Sequence, residues 1–287
     1  MSVNSEEKRT LISFDWALKS ILRQKDNFDI LESFLRTLLN DDKLEIIDLL
    51  ESESNQESGE DKYNRVDLKA KDGKGREIII EVQYNREPDY LERIYYGTAK
   101  SVVDSMEKGY RYKQVKKVIS ISIVYFDISR NDYIVKGTTT FSNYFKPEKE
   151  ATDVNTDIFA EYYIIQPKSD LFDDTVNSGV DEWVYMFKHS EVKDEFTHMD
   201  VEAVKEKLDL LKMPTEEQRR YERYLLDKTI QEGVLEVREE EGREKGRIEE
   251  KKEIARNFLR MGLSIEQIAS GTGLTIEEIE EIKASKN

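Results

Sequence analysis

Two strand-like segments joined by a glycine-containing turn constrain the fold of this chain most strongly. Residues 65–83 read RVDLKAKDGKGREIIIEVQ, and the second half is dense in isoleucine. Tight hairpin loops need residues that adopt positive φ, which glycine does without steric cost. Gly73 and Gly75 are predicted to supply those positions. The segment therefore predicts an antiparallel hairpin with strands over 65–70 and 77–82.

The register of that hairpin brings two acidic residues together. If 73–75 form a three-residue loop, Asp72 pairs with Arg76, and Asp67 then lies opposite Glu81. Opposed residues of an antiparallel pair lie about 4.5–5.5 Å apart on one face, where two carboxylates repel each other. A divalent cation would relieve that repulsion, and oxygen ligands suit Mg²⁺ or Mn²⁺. The register thus indicates a metal site.

The second strand ends in polar residues on one face. Side chains alternate along a strand, so Glu81 and Gln83 share a face with Ile79. The opposite face is predicted to meet the core through Ile78, Ile80 and Val82. The competing interpretation is a solvated strand end whose carboxylates pair with nearby bases, namely Lys69, Lys71 or Arg76.

The composition leaves carboxylates and amides to carry any chemistry. The chain has no cysteine and two histidines, His189 and His198. Disulfides, thiolate catalysis and cysteine-based zinc sites are excluded, and histidine-rich sites are disfavoured. The N-terminal residues lack the order of a signal peptide, and no run of about 18 apolar residues occurs. We therefore expect a cytoplasmic protein without a membrane span.

The net charge of −16 opposes nonspecific nucleic-acid binding, because neutralising phosphates requires Lys and Arg. A local basic surface can nevertheless form on an acidic protein. Arg93, Tyr96 and Lys100 recur at helical spacing and are candidates for such a surface. A second candidate group is Lys113, Lys116 and Lys117. An ordinary solvated helix face is the alternative for both groups.

The remaining periodicities predict a mixed α/β domain followed by helices. Apolar residues at spacings of three and four predict helices between 14 and 39. Residues 43–50 form a short element of either type, and 51–64 form a loop. A helix is predicted from Pro88 to about Lys108, ended by Gly109. Strands are predicted at 116–128, 133–141 and 161–166, and a helix at 180–188.

A charge-dense tail begins near Met213-Pro214. The predicted division is a domain over 1–214, a charged helical linker or coiled-coil-like tail over 215–256, and a helical hairpin over 257–287. Gly233, Gly242 and Gly246 weaken a long helix, so an extended helix and a disordered tail both remain open. Residues 264–283 resemble half of a helix-turn-helix. Their second helix carries four glutamates, which favours oligomerisation or protein contact over DNA reading.

The ordered motifs resemble the PD-(D/E)xK nuclease core, and more closely the Rpn family of recombination-promoting nucleases, also called PD-(D/E)xK family transposases. The motifs are FDWALK at 14–19, RVD at 65–67, IIIEVQ at 78–83 and ERIYYGTAKS at 92–101. A Glu/Arg/Gly-rich tail at 240–259 and MGLSIEQIASGTGLTIEEIEEIK at 261–283 complete the likeness. The resemblance covers nearly the whole chain and implies an α/β restriction-endonuclease-like fold, a mixed sheet flanked by helices.

The resemblance also assigns roles by position. Asp67 and Glu81 would be metal ligands, with the backbone carbonyl of Val82 as a third. Gln83 stands where most of the superfamily has Lys, and would orient the attacking water. Asp15 matches an additional acidic residue near the metal. One turn later on the same helix face, Lys19 would touch a phosphate. Val66 replaces the Pro of the motif.

The function implied is a Mg²⁺-dependent DNA endonuclease linked to recombination or mobile elements. Mn²⁺ would substitute for Mg²⁺, and no nucleotide cofactor is expected. Expected partners are DNA and further copies of the chain, through the C-terminal helices. Nothing indicates the separate three-carboxylate transposase chemistry. The alternatives are a nuclease-fold binding or regulatory module with weak or no activity, and an RNA-directed nuclease.

Overall fold

A mixed six-stranded sheet organises the N-terminal part of the chain. The computed structural model describes residues 11–51, 67–106, 111–150 and 154–284. The sheet order is β1-β2-β3-β4-β8-β5, and β6 and β7 form a separate two-stranded hairpin. The strands are β1 (Ile46–Glu51), β2 (Leu68–Asp72), β3 (Glu77–Gln83), β4 (Val118–Val124), β5 (Ile134–Gly137), β6 (Ser142–Asn143), β7 (Lys146–Glu150) and β8 (Glu161–Ile165).

Eight α-helices accompany the sheet in the described residues. They are α1 (Phe14–Ser20), α2 (Phe28–Leu39), α3 (Tyr90–Asp104), α4 (Gly179–His189), α5 (Val201–Leu208), α6 (Thr215–Arg260), α7 (Ile265–Thr272) and α8 (Ile276–Ala284). Aromatic side chains join α1, α2 and α4, because Phe14, Phe34 and Phe187 contact one another at ring distances of 4.5–5.7 Å. None of the described helices is long and apolar enough to cross a membrane.

The predicted hairpin register is confirmed. β2 and β3 are antiparallel, with Leu68 opposite Ile80 and Ala70 opposite Ile78. The N–H of Asp72 donates to the carbonyl of Arg76 at 3.1 Å, as a loop over 73–75 requires. Counted one residue beyond the last strand pair, Leu68 and Ile80, the same register places Asp67 across from Glu81.

The turn itself corrects one prediction. Gly75 has φ of 77°, whereas Gly73 is not among the glycines with positive φ. Asp72 explains the difference, because its Oδ1 accepts the N–H groups of both Lys74 and Arg76, at 3.0 and 2.8 Å. This side-chain bonding closes the turn, so only one residue has to adopt the left-handed conformation.

Both faces of β3 are buried. Ile78 and Ile80 are fully buried on one face, and the face with Glu77 and Glu81 is also buried. α3 covers this second face, since its Ser101 and Arg93 contact Glu77 and Glu81 respectively. The interpretation as a solvated strand end is therefore wrong, because the helix that follows β3 returns over the acidic face.

Most other predicted elements are present with shifted ends. Residues 43–50, left open between types, include all of β1 except its last residue, and the strand predicted over 133–141 stops at Gly137. The β6–β7 hairpin and α5 had no prediction. α3 ends at Asp104, and its predicted end signal Gly109 lies outside the described residues, as do residues 52–66 of the predicted loop and first strand.

The tail is helical. α6 runs for 46 residues through Gly233, Gly242 and Gly246, so the extended-helix alternative is the one observed. The chain divides into two compact units, Met1–Gln218 and Arg219–Asn287, and the boundary between them falls within α6. In the second unit Ala255, Ile268 and Ile279 are fully buried together, with Leu274 and Ile282 beside them. The three-part division drawn from the sequence stays a prediction.

Candidate active site

Asp67 is held at the end of the hairpin by several contacts. It directly precedes β2 and is buried. Its Oδ2 accepts the backbone N–H of Val82 at 2.6 Å, which continues the β2–β3 ladder with a side chain. Its Oδ1 lies 3.3 Å from Nζ of Lys19, and its carbonyl accepts from Arg23 at 2.6 Å. The carboxylate is therefore fixed against the edge of β3 beside Glu81.

Glu81 is a buried carboxylate that is only partly satisfied. It is 8% exposed, and its Oε1 lies 2.6 Å from a guanidinium nitrogen of Arg93. In the described part of the chain, its Oε2 has no hydrogen-bond partner. Burial raises the pKa of Glu81 to about 7, the positive charge of Arg93 opposes this rise, and the negative charge of Asp67 adds to it. A carboxyl in this state is a candidate for function rather than for stability.

Gln83 and Arg93 are linked through a residue that the sequence analysis missed. Nε2 of Gln83 donates to Oε1 of Glu87 at 2.9 Å and to the carbonyl of Asn85 at 3.1 Å. Nε of Arg93 lies 2.9 Å from Oε2 of the same Glu87. Arg93 thus joins Glu81 to Glu87. Only the position of Glu87 in the loop directly after β3 could have suggested it.

Asp15 is connected to the end of β3 by a hydrogen bond from Tyr84, the residue that follows the strand. It is buried on α1, and its Oδ1 accepts from the hydroxyl of Tyr84 at 2.9 Å. Tyr84 stacks on Tyr125 at a centroid distance of 4.2 Å. Burial, with the neighbouring Tyr125 and Asp15, raises the pKa of Tyr84, so its hydroxyl stays protonated and donates. The role of Asp15 beside a metal stays a prediction.

The predicted phosphate-contacting residues divide into two groups. Lys19 and Arg93 lie in the site, each beside one of the two carboxylates. Tyr96 and Lys100 follow Arg93 on α3 at spacings of three and seven residues, which places them on one side of the helix. Tyr96 is 61% exposed and Lys100 is half-buried.

The ion pairs differ from those expected for a solvated strand end, in which Glu81 would pair with Lys69, Lys71 or Arg76. Lys69 pairs with Glu77 at 3.3 Å, and Arg76 pairs with Asp72 at 2.6 Å. These bases therefore do not neutralise Glu81, whose cationic partner is Arg93.

The donor set fits an oxygen-coordinated divalent cation. Asp67 and Glu81 offer carboxylate oxygens, and the N–H of Val82 points toward Asp67. In an extended strand the C=O of a residue points to the same edge as its N–H, so the Val82 carbonyl faces this side too. Among the described residues, no group of three or more Asp, Glu or His side chains is arranged to hold a metal. Two side chains and one carbonyl are the available ligands.

The mixed sheet with an acidic hairpin end, packed beneath the following helix, defines the PD-(D/E)XK class of nuclease domain. The family described as PD-(D/E)XK nuclease family transposase matches residues 12–232, and the chain belongs to it. The predicted family and fold class are confirmed. A nuclease-type or transposase-related function follows. No curated protein and no solved structure matches the chain.

Proposed function

We propose that this protein is a Mg²⁺-dependent DNA endonuclease, with Mn²⁺ as a substitute. The observation that carries the proposal is the pair Asp67 and Glu81. Both are buried and lie opposite each other, and one oxygen of Glu81 has no hydrogen bond within the described residues. The negative charge of Asp67 disfavours ionisation of Glu81, and a cation bound between the carboxylates would relieve that repulsion.

Asp67, Glu81 and the Val82 carbonyl would hold the cation. When bound, the cation polarises a phosphoryl oxygen, promotes ionisation of a water molecule and stabilises the developing negative charge. Lys19 and Arg93 offset the carboxylate charge without the metal. With the carboxylates neutralised by the cation, both bases are positioned to contact the phosphate. Tyr96 and Lys100 extend this contact surface along α3.

Gln83 is proposed to orient the attacking water. Glu87 only accepts hydrogen bonds, so the amide NH₂ of Gln83 must face it. The amide oxygen is then directed elsewhere and can accept a hydrogen bond from the attacking water. Gln83 cannot supply charge as Lys would, and Arg93 provides a positive charge from α3 instead. Hydrolysis needs no covalent protein intermediate.

A plasmid assay tests the proposal. Supercoiled DNA is incubated with Mg²⁺ or Mn²⁺ and the parent protein, Asp67→Ala, Glu81→Ala, or the control Glu92→Gln on the exposed face of α3. We expect nicking by the parent and control and at least about a hundredfold slower nicking by the two site variants. Equal behaviour of all four proteins would overturn the assignment. Labelled RNA in a parallel arm tests the RNA-directed alternative.

A binding or regulatory module is the second candidate. It is favoured by Lys19 and Arg93, which each form an ion pair with one of the two carboxylates, and by a ligand set that has two side chains among the described residues. Thermal unfolding with Mn²⁺ separates the two candidates. A retained metal site raises Tm in the parent and not in Glu81→Ala, because a ligand that binds only the folded state stabilises it. No shift in either protein would favour the module.

We further propose two features that follow from the family and the tail. The nuclease acts in recombination or on mobile elements, and copies of the chain associate through the C-terminal helices. The exposed aliphatic residues of α6, including Leu226, Ile230 and Val237, support self-association. Light scattering of the full chain tests it, and a monomer at all concentrations would contradict it.

A further inference from the structure

A small pocket rich in basic residues lies at the end of β3 opposite to Glu81. Its volume is about 290 Å³. We call it the basic pocket, and its lining residues are Lys74, Gly75, Arg76, Val115, Lys116, Lys117, Asp157 and Ile158. Four of these eight residues are cationic and one is anionic. The lining is therefore mainly cationic, although carboxylates outside the lining pair with three of the four cations.

The β2–β3 turn and the approach to β4 build the pocket together. Lys74 and Arg76 come from the turn, and Lys116 and Lys117 directly precede β4. The side chain of Lys116 runs across Gly75, and its Cε and Nζ lie 3.6 Å from the position that a Cβ would occupy there. Gly75 thus provides both the positive φ of the turn and a flat surface for the lysine.

Ion pairs fix the orientation of three of the four cations. Asp41 contacts Lys74 at 2.6 Å and Arg76 at 2.7 Å, and Arg76 also contacts Asp72 at 2.6 Å. Glu161 contacts Lys117 at 2.5 Å. In the described parts of the chain, Lys116 has no carboxylate within ion-pair distance. The pocket therefore combines oriented donors with one uncompensated charge, which is an arrangement suited to an anion.

We propose that the basic pocket binds a phosphate group. Resting on the endonuclease function proposed above, that phosphate belongs to the DNA backbone at a distance from the scissile bond. Arg76 directly precedes β3 and is five residues from Glu81, or roughly 17 Å at 3.3 Å per residue. Because DNA carries a phosphate on each strand every 3.4 Å of axis, roughly five base pairs separate the two positions.

Inorganic phosphate is the first probe, because it binds without any cleavage. Its affinity is measured by ³¹P NMR titration of the full chain in EDTA. We expect Lys116→Glu to weaken binding about fivefold or more, and Asp157→Asn to tighten it about twofold, because Asp157 is the anionic lining residue. Lys245→Glu, on the exposed surface of α6, makes the same charge change and should have no effect. Equal affinities in all four proteins would overturn the proposal.

A 20-base-pair duplex in EDTA distinguishes backbone phosphate from a free phosphate compound. By fluorescence anisotropy, Lys116→Glu should bind the duplex about fivefold more weakly, with a salt slope smaller by about 1. Weaker phosphate binding with unchanged duplex binding would support the pocket and assign it to a free phosphate compound. Neither readout depends on catalysis, so an inactive protein would refute the endonuclease proposal and leave the pocket testable.

Discussion

The two buried glutamates of β3 lie on the same face of one strand and are stabilised very differently. Glu77 pairs with Lys69 of the neighbouring strand at 3.3 Å and accepts from the hydroxyl of Ser101 at 2.5 Å. Four residues later, Glu81 pairs with Arg93, which also contacts Glu87. The pKa of Glu81 is raised to about 7. Glu77 thus has a lysine and a hydroxyl on one carboxylate oxygen, whereas the cationic partner of Glu81 is shared with a second acid.

This difference distinguishes a glutamate that we interpret as structural from one that the proposed function assigns to the metal site. Lys69 lies in a strand and is 6% exposed, so its ion pair with Glu77 is buried from solvent. Arg93 extends from a helix, is shared between two acids and partly reaches solvent. A site that binds a cation keeps carboxylate charge that neighbouring residues do not fully neutralise, and this lowers the stability of the protein.

The largest expected effect on the free energy of unfolding comes from breaking the ion pair between Lys69 and Glu77. Lys69→Ala leaves Glu77 buried without its cation, which should lower the free energy of unfolding by about 3–5 kcal/mol. Urea denaturation measures the loss. The double variant Lys69→Met with Glu77→Leu removes both charges and should recover most of it. A loss under 1 kcal/mol in the single variant would show that the pair is not structural.

Removing the charge of Glu81 should instead raise the free energy of unfolding at neutral and higher pH. The ordinary pKa of a glutamate side chain is 4.5, and that of Glu81 in the folded chain is about 7. Between these values the folded state holds a proton that the unfolded state has released, so stability falls as pH rises from 4.5 to 7. Glu81→Gln avoids this loss. In EDTA it should match the parent near pH 4 and exceed its unfolding free energy by at most about 3 kcal/mol at pH 8.

Urea midpoints of parent and Glu81→Gln across pH 4–8 check that expectation. A pH-independent difference, or a variant that is less stable at pH 8, would place Glu81 in the same category as Glu77.

The hydroxyl of Ser101 should contribute an intermediate amount. Its hydrogen bond to a buried carboxylate is charge-assisted, so Ser101→Ala should lower the unfolding free energy by about 2 kcal/mol. Ser105→Ala is the matched control on the same helix, since Ser105 donates only to the carbonyl of Val102. Equal losses in the two variants would indicate a general helix effect.

The smallest effect on stability is expected at Glu87. Its side chain is 43% exposed, so Glu87→Gln should change the unfolding free energy by no more than about 0.5 kcal/mol. The negative charge of Glu87 contributes to the raised pKa of Glu81, and its removal should therefore lower that pKa. The pKa of Glu81 is measured by carboxyl ¹³C NMR titration. An unchanged pKa in Glu87→Gln would show that Glu87 does not influence the ionisation of Glu81.

The sequence predicted the hairpin register because a local turn determines it. Counting from Asp72 and Arg76 placed Asp67 opposite Glu81, and the strand pairs follow that count. The burial of the acidic face was not predictable from strand alternation, since it depends on how α3 returns over β3. The same tertiary contact explains why Arg93, recognised only by helical spacing, meets Glu81.

Glu87 and the basic pocket show a second limit of sequence patterns. Glu87 has no periodic signal, and its link to Gln83 and Arg93 exists only through the path of the loop after β3. Lys116 and Lys117 were recognised as basic, and their convergence with Lys74 and Arg76 depends on the pairing of β3 with β4. Such long-range pairings leave no trace in local spacing.

The hydrogen bond from the Val82 N–H to Asp67 has an evolutionary consequence. Because Asp67 completes the strand ladder, selection for folding would keep it even in a relative without the proposed catalytic activity. Burial disfavours the ionised form of Glu81, so relaxed selection would favour its replacement by an uncharged residue. In comparing paralogues, an aspartate at position 67 therefore says little about activity, and the residue at position 81 is the more informative marker.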